Sequence, residues 1–485
     1  MFKKIVRRNR MNVIAIVLDT FRADIIGPGK KLSHVKTPNL DGFAAEGVSF
    51  DRAFGEGQPT LQIRRAFYTG RRSFPWRYNF DRRGHWHHAP GWHKIPSEQD
   101  TLAEILSARG YATGLVADVY HMFKPTMNYW RGFTNYQFIR GQESDNFRGG
   151  PFAEITETMR KYVREPFDPA DHAVLAQYLL NMRGRETEDD YLCAKVMNTA
   201  CEWLDDNAAN APFMLWVEAF DPHEPWDPPP AYADRYCPGY SGKDFIMPGA
   251  GLMGGGMSDE EIERTRALYF GEVTFVDKMV GRVLEKIDEL KLRDDTVVLI
   301  LSDHGTEVWD KGKFGKGGSR LHPYNTGIVW HMRHPDGPTG KRIDGFVQSH
   351  DVMPTILDLL EIPFETDGTS VWPLVTGAVD SIRDHVTCGW AEFVNGNAAA
   401  KVSVRTDRWN CIRAVGRPEQ EGPRLYDLQS DPEEDRNVAA DHPGTVEELS
   451  RHIEALIGQP LPGVMNEVCD PGPMPMKVFV ESRRN

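Results

Sequence analysis

Asp303 and His304, in the run LSDHGTE, set a carboxylate beside an imidazole where an apolar segment ends. Such a pair suits a divalent cation such as Mn²⁺ or Zn²⁺, which binds both carboxylate oxygen and ring nitrogen. Asp19, at the end of another apolar run, offers a third donor. A single Asp or His at such a place is more often a loop cap than a ligand, so only their combination carries weight. A second chemical feature lies in GQPTLQIRRAFYTGR. Gln62 to Tyr68 predicts a helix that stops at Gly70, with Thr60 near its N-terminus and Arg64 one turn further along. Unpaired backbone N–H groups and the helix dipole favour negative charge at that end. A threonine held there by a dication can act as an alkoxide; an ordinary N-cap is the bland alternative.

These residues need a scaffold. NVIAIVL (12–18), ATGLVA (112–117), FMLWVEAF (213–220) and TVVLILS (296–302) predict strands buried on both faces. DTLAEILSARG, DDYLCAKVMNTACEWLDD and the long DEEIERTRALYFGEVTFVDKMVGRVLEKIDEL carry apolar residues at helical spacing. The alternation predicts an α/β fold: a large, mostly parallel sheet covered by helices on both faces. Ligands of such sheets sit beyond the carboxyl ends of the strands. There the chain reads Asp19-Thr20, Asp118, Asp221-Pro222-His223 and Asp303-His304. Four strands each running into an aspartate predict one charged centre. After about residue 380, VSVRTDRWNCIRAV, PRLYDL and VEELSRHIEAL predict a smaller antiparallel sheet with one helix. The expected division is 1–380, 381–458 and a Pro/Gly-rich arm, read as extended, over 459–485.

The chain has 485 residues, 40% hydrophobic and 26% charged, an ordinary globular composition. No apolar run approaches the ~18 residues needed to span a bilayer. Basic residues precede Val13 to Leu18, but Asp19 stops that short run, as expected of a buried strand rather than a signal peptide. Six scattered cysteines without a metal-type pair predict reduced thiols and a cytoplasmic setting. A net charge of −13 argues against nucleic acid as a partner, and nothing calls for a membrane. A small anionic ester would instead be drawn by a local cluster, Arg64, Arg65, Arg71, Arg72, Arg77, Arg82 and Arg83. The arm leaves a homo-oligomer open.

Taken together, MNVIAIVLDTFRADIIG, HVKTPNLDGFAAEGVSFDRAF and the Thr60–Gly70 segment resemble the opening of sulfatases and their phosphonate monoester hydrolase relatives, in the alkaline-phosphatase superfamily. FDPHEPWDPP, LILSDHGTEVWDKGKFGKGG, SHDVMPTILDLLEIP and PRLYDLQSDPEEDRNV are similar to later landmarks of that family, in the same order. The resemblance covers nearly the whole chain. It implies a hydrolase with one divalent metal ion, Mn²⁺ first and Zn²⁺, Ca²⁺ or Mg²⁺ as alternatives. Asp19, Asp303, His304 and the oxygen of Thr60 become its ligands. Arg64 becomes the group that stabilises the nucleophile, and His223 and Lys316 contact the ester oxygens or leaving group. Thr20, Asn79, Tyr120, His121 and His322 are the further substrate contacts expected.

Three departures from sulfatases set the expected chemistry. Thr60 stands where sulfatases carry the cysteine that becomes formylglycine, and the Cys-x-Pro-x-Arg signature reads Thr60-Leu61-Gln62-Ile63-Arg64. The paired Asp-Asp reads Asp19-Thr20, and Asp-Asn reads Asp303-His304, closer to the phosphonate monoester hydrolase branch. The Lys-x-His segment reads Asp118-Val119-Tyr120-His121. The expected activity is metal-dependent hydrolysis of phosphodiesters or phosphonate monoesters through a Thr60 alkoxide. A sulfatase lacking formylglycine and a non-catalytic binding protein are the alternatives. The histidines of HWHHAPGWH (His85, His87, His88 and His93) offer a second metal site or a pocket wall.

Overall fold

Asn12–Leu18 is buried at every position and sits inside an eight-stranded sheet. The sheet belongs to a computed structural model that describes residues 11–76, 90–123, 127–248, 256–317, 321–394, 397–420, 422–465 and 474–483. From one edge, its strands are Lys341–Ile343, Val48–Phe50, Trp330–Arg333, Thr296–Ser302, Asn12–Leu18, Phe213–Ala219, Ala112–Ala117 and Asn135–Phe138. All run parallel except Trp330–Arg333, which is antiparallel to both neighbours. The parallel strands therefore deliver their carboxyl ends, and the aspartates after them, to one side.

Strand alternation splits the core into two halves. Ile14, Ile16 and Leu18 face a cluster that contains the helices Leu192–Asn207 and Asp259–Glu289. Val13, Ala15 and Val17 face the other, built with the helices Thr60–Thr69 and Val352–Leu359. Capping boxes start two of the expected helices: Thr101 with Glu104 before Leu102–Ser107, and Ser258 with Glu261 before Asp259–Glu289.

A second sheet has the order Arg424–Asp427, Trp409–Val415, Asn397–Arg405, Val386–Val394 and Gly57–Gln58. Its first four strands are antiparallel, as the sequence predicts, with helix Pro443–Ile457 packed against it. The fifth comes from far upstream: Gly57 and Gln58 pair in parallel with Gly389 and Trp390. The segment read as an extended arm contains a helix, Pro475–Ser482, lying on Ala173–Asn181. Pro475 opens it, where proline lacks only an N–H that no helix would use, and the residues that follow hold no helix breaker. Among the described residues no helix is long and apolar enough to cross a membrane. Five cysteines are unpaired, and Cys469 lies outside the described residues.

Candidate active site

The helix Thr60–Thr69 is buried along its whole length, so each polar side chain on it must find a partner inside the protein. It ends at Gly70, whose φ of 61° is left-handed and whose missing Cβ would lie 2.6 Å from Thr366 Cγ2. Gln62 donates to the Pro90 carbonyl at 2.6 Å. Arg64 turns to the sheet: Nη1 donates to Asp303 Oδ2 at 2.7 Å and lies 3.0 Å from Asp19 Oδ2, while Nε donates to Glu218 Oε2 at 2.9 Å. Nη1 also donates to the Thr60 carbonyl at 3.2 Å. One nitrogen thus joins the first residue of the helix to the carboxylates of two strand ends.

Asp19, Asp303 and His304 are fully buried, and each offers a ligand atom within 4.8 Å of the others. His304 places Nδ1 2.9 Å from the Gly305 carbonyl, which fixes the proton there and leaves the Nε2 lone pair open. Burial and Lys316 push this imidazole down to about 3, so it is neutral. Gly305 admits the close turn, since a Cβ there would lie 2.1 Å from the Tyr324 carbonyl oxygen. Nε2 of His304 and Oδ2 of Asp19 are buried without a hydrogen bond, the latter because the guanidinium beside it is off line. Burial and the charge of Asp303 raise the Asp19 carboxyl, against Arg64. Two carboxylates and a neutral imidazole, two of their atoms unsatisfied, fit a divalent cation.

Thr20 is held in the left-handed region with φ 60°, which costs a β-branched residue about 1–3 kcal/mol. Its N–H donates to Asp303 Oδ1 at 2.9 Å and its hydroxyl to Asp19 Oδ1 at 2.7 Å, so the strained residue clamps both carboxylates. Lys316 Nζ donates to Thr20 Oγ1 at 3.1 Å and to Glu224 Oε2 at 2.9 Å. His223 lies on the same side, its ring stacked on Phe220 at 4.2 Å and Nδ1 2.5 Å from the Glu224 carbonyl. Burial opposes the charge of Glu224, but His223 and Lys316 outweigh it and hold the carboxyl below the usual range.

The remaining expected contacts disperse. His121 packs, tilted, between Trp92 and Tyr120, 4.5 and 3.9 Å away, and 5.9 Å from Phe220, extending the aromatic wall that carries His223. The Tyr120 hydroxyl donates to Glu143 and lies 2.7 Å from Ser144 Oγ. His322 stacks on Tyr324 and lines a cavity of about 410 Å³ with Arg22, Lys30 and Asp310, whose walls do not include the metal-type triad. Asn79, His85, His87 and His88 lie outside the described residues. His93 accepts from Arg65 Nη1 at Nε2, 2.7 Å, with Nδ1 on the Lys94 carbonyl, which occupies both ring nitrogens.

Two expectations need correction. The arginines do not act as one cluster: Arg64 reaches the strand ends, Arg65 turns to His93 and Gln99, Arg71 binds Asp367 beyond the helix stop, and the Arg72 guanidinium donates to Gln348. Consecutive helical residues point about 100° apart, so neighbours in sequence part company. Arg77, Arg82 and Arg83 lie outside the described residues. The four aspartates also do not form one centre. Asp118 and Asp221 make a separate pair, both accepting from Gln142 Nε2, at 2.9 and 2.8 Å. Burial raises both carboxyls, Asp118 further through Asp221.

Glu218 is the partner that sequence reasoning missed. It also accepts from Trp216 Nε1 at 2.8 Å, and burial pushes its carboxyl up to about 7 against Arg64. The signal was present: a glutamate within the apolar run FMLWVEAF must meet a cation or a proton.

A mostly parallel sheet of this order, with acid and imidazole donors at its carboxyl ends and a smaller antiparallel sheet behind, is the architecture of the alkaline-phosphatase superfamily. Within it, the chain belongs to the sulfatase family, whose model matches residues 11–362. A model described as N-sulphoglucosamine sulphohydrolase, C-terminal, matches residues 324–459. An arylsulfatase of Clostridium perfringens is 26% identical, over 88% of this chain and 90% of its own. The multifunctional alkaline phosphatase superfamily protein PehA of Trinickia caryophylli is also 26% identical, over 89% and 92%. Among solved structures, the phosphonate monoester hydrolase of Agrobacterium radiobacter superposes with a TM-score of 0.69 at 21% identity, over 92% of this chain and 95% of that one. The chain is therefore a sulfatase-family hydrolase acting on ester bonds, and enzymes of this family use a divalent metal.

Proposed function

We propose that the chain hydrolyses phosphodiesters or phosphonate monoesters with Thr60 as nucleophile, Asp19, Asp303, His304 and Thr60 holding one divalent ion, Mn²⁺ before Zn²⁺, Ca²⁺ or Mg²⁺. The observation that carries this reading is Thr60 itself, first residue of a buried helix whose Arg64 grips Asp19 and Asp303. When bound, the cation supplies Lewis acidity and favours the ionised threonine hydroxyl. Arg64 fixes the carboxylates and the helix start. His223, with Nδ1 committed to a carbonyl, keeps Nε2 for a proton at the leaving group. Lys316 meets charge on the ester oxygens.

Threonine decides the substrate class. A formylglycine hydrate can expel sulfate with its second hydroxyl, whereas threonine has one, so water must clear its adduct. Phosphoryl transfer through a covalent intermediate accommodates that step. The arylsulfatase likeness supports a second reading, a sulfatase that works without formylglycine.

The test is turnover by metal-reconstituted protein on matched aryl esters: phosphodiester, phosphonate monoester, phosphate monoester and sulfate. The expected result is preference for the diester or phosphonate, lost about a thousandfold or more in Thr60→Ala while the fold persists by circular dichroism. A Thr60→Ala variant that keeps most activity removes Thr60 from the mechanism. Preference for sulfate overturns the substrate class.

A further inference from the structure

Glu224 follows His223 and lies against both groups assigned to the ester, His223 and Lys316. Its Oε2 accepts from Lys316 Nζ at 2.9 Å and is 3.6 Å from His223 Nδ1. The same ammonium donates to Thr20, and Thr20 donates to Asp19, so hydrogen bonds run unbroken from Glu224 to the metal-type triad. Glu224 is a carboxylate added to a site that already has its nucleophile, its donor set and its cations. A lysine needs no carboxylate partner to stay charged, so the pairing calls for another account.

Charge supplies one. Asp19, Asp303 and Glu218 surround Arg64, while among the described residues Glu224 is the carboxylate paired with Lys316. With a dication in place and all of these acids counted as carboxylates, the charges cancel only when Glu224 is included. Such a site has little attraction to spare for a second negative charge on the substrate. Phosphodiesters, phosphonate monoesters and sulfate esters carry one charge, whereas a phosphate monoester carries two above a pKa of about 6.

We propose that Glu224 is a specificity determinant: by neutralising Lys316 it restricts the site to esters bearing a single negative charge and excludes phosphate monoester dianions. The inference rests on the ester-hydrolase reading above but not on the choice between phosphorus and sulfur, because both kinds of preferred ester carry one charge.

Glu224→Gln keeps the shape and an oxygen for Lys316 while removing the charge. At pH 8, the kcat/KM ratio of aryl phosphate monoester to aryl phosphonate or sulfate should rise about tenfold or more in this variant. Calorimetric binding of monomethyl phosphate should strengthen relative to dimethyl phosphate in the same sense. Glu224→Asp, which keeps the charge, should leave both ratios low. If Glu224→Gln slows or weakens all esters by one common factor, Glu224 only positions Lys316 and charge selection is wrong. A wild-type preference for sulfate sinks the phosphoryl reading alone, with Glu224 still judged on the ratio. Should the wild type turn over no ester, the hydrolytic reading falls, and the two methyl phosphates still decide whether the site sorts by charge.

Discussion

Two pairs of aspartates occupy equivalent places in this sheet, and the protein treats them in opposite ways. Asp19 and Asp303 follow adjacent central strands; Asp118 and Asp221 follow the next two strands on one side. All four are buried. The first pair receives the Arg64 guanidinium, a neutral imidazole with an open lone pair, and two unsatisfied atoms. The second receives neutral donors, the Gln142 amide shared by both and the backbone N–H groups of Phe220 on Asp118 and Cys193 on Asp221, and its carboxyls are raised by burial. Nearby Glu272, also buried, is raised with them by burial and by Asp221. Position at a strand end makes an aspartate available. What faces it, a guanidinium or neutral amides, decides how its charge is met.

The contrast breaks most sharply at Asp303. Asp303→Asn should remove a ligand of the proposed cation and the partner of Arg64, Thr20 and His304 together. Bound metal, read by elemental analysis, and turnover should both fall about a hundredfold or more. Unchanged metal occupancy would show that the donor set is wrong. A smaller effect is expected from Arg64→Met, which strands Asp19, Asp303 and Glu218 in the core. It should cost about 3–5 kcal/mol in urea unfolding of the metal-free protein. A loss below about 1 kcal/mol would mean that Arg64 does not offset carboxylate charge there. Gln142→Leu should cost least, about 1–3 kcal/mol, by removing the donor that Asp118 and Asp221 share. The pH dependence has a definite sign. Carboxyls raised in the fold stabilise it below their unfolded pKa of about 4, and that stability drains away as pH rises through the folded values. Gln142→Leu raises those values further, so its deficit should be larger at pH 8 than at pH 5. An equal deficit at both would show that Gln142 does not shift the titration of these carboxyls.

The scaffold was legible because a strand buried on both faces leaves a continuous apolar run. Asn12–Leu18, Ala112–Ala117 and Thr296–Ser302 have the expected bounds, and Phe213–Ala219 is one residue shorter. Strands such as Val48–Phe50 and Lys341–Ile343 were not, since three residues carry no usable period. The donors Asp19, Asp303 and His304 were readable from their place after those runs. The separation of the four aspartates was not, because it depends on Gln142 and Arg64, which reach the strand ends from elsewhere in the chain. Glu218 and Glu224 belong to the same blind spot: each is defined by a cation that sequence neighbours do not reveal.

The parallel pairing of Gly57–Gln58 with Gly389–Trp390 has a consequence for biosynthesis. A ribosome delivers the segment leading into Thr60 early and its sheet partner late, after most of the chain has emerged. Domains generally fold in order of synthesis, yet here the residues just before the proposed nucleophile gain a strand partner only when the later sheet arrives. The newborn chain therefore carries the segment leading into Thr60 long before the strand that pairs with it has been made.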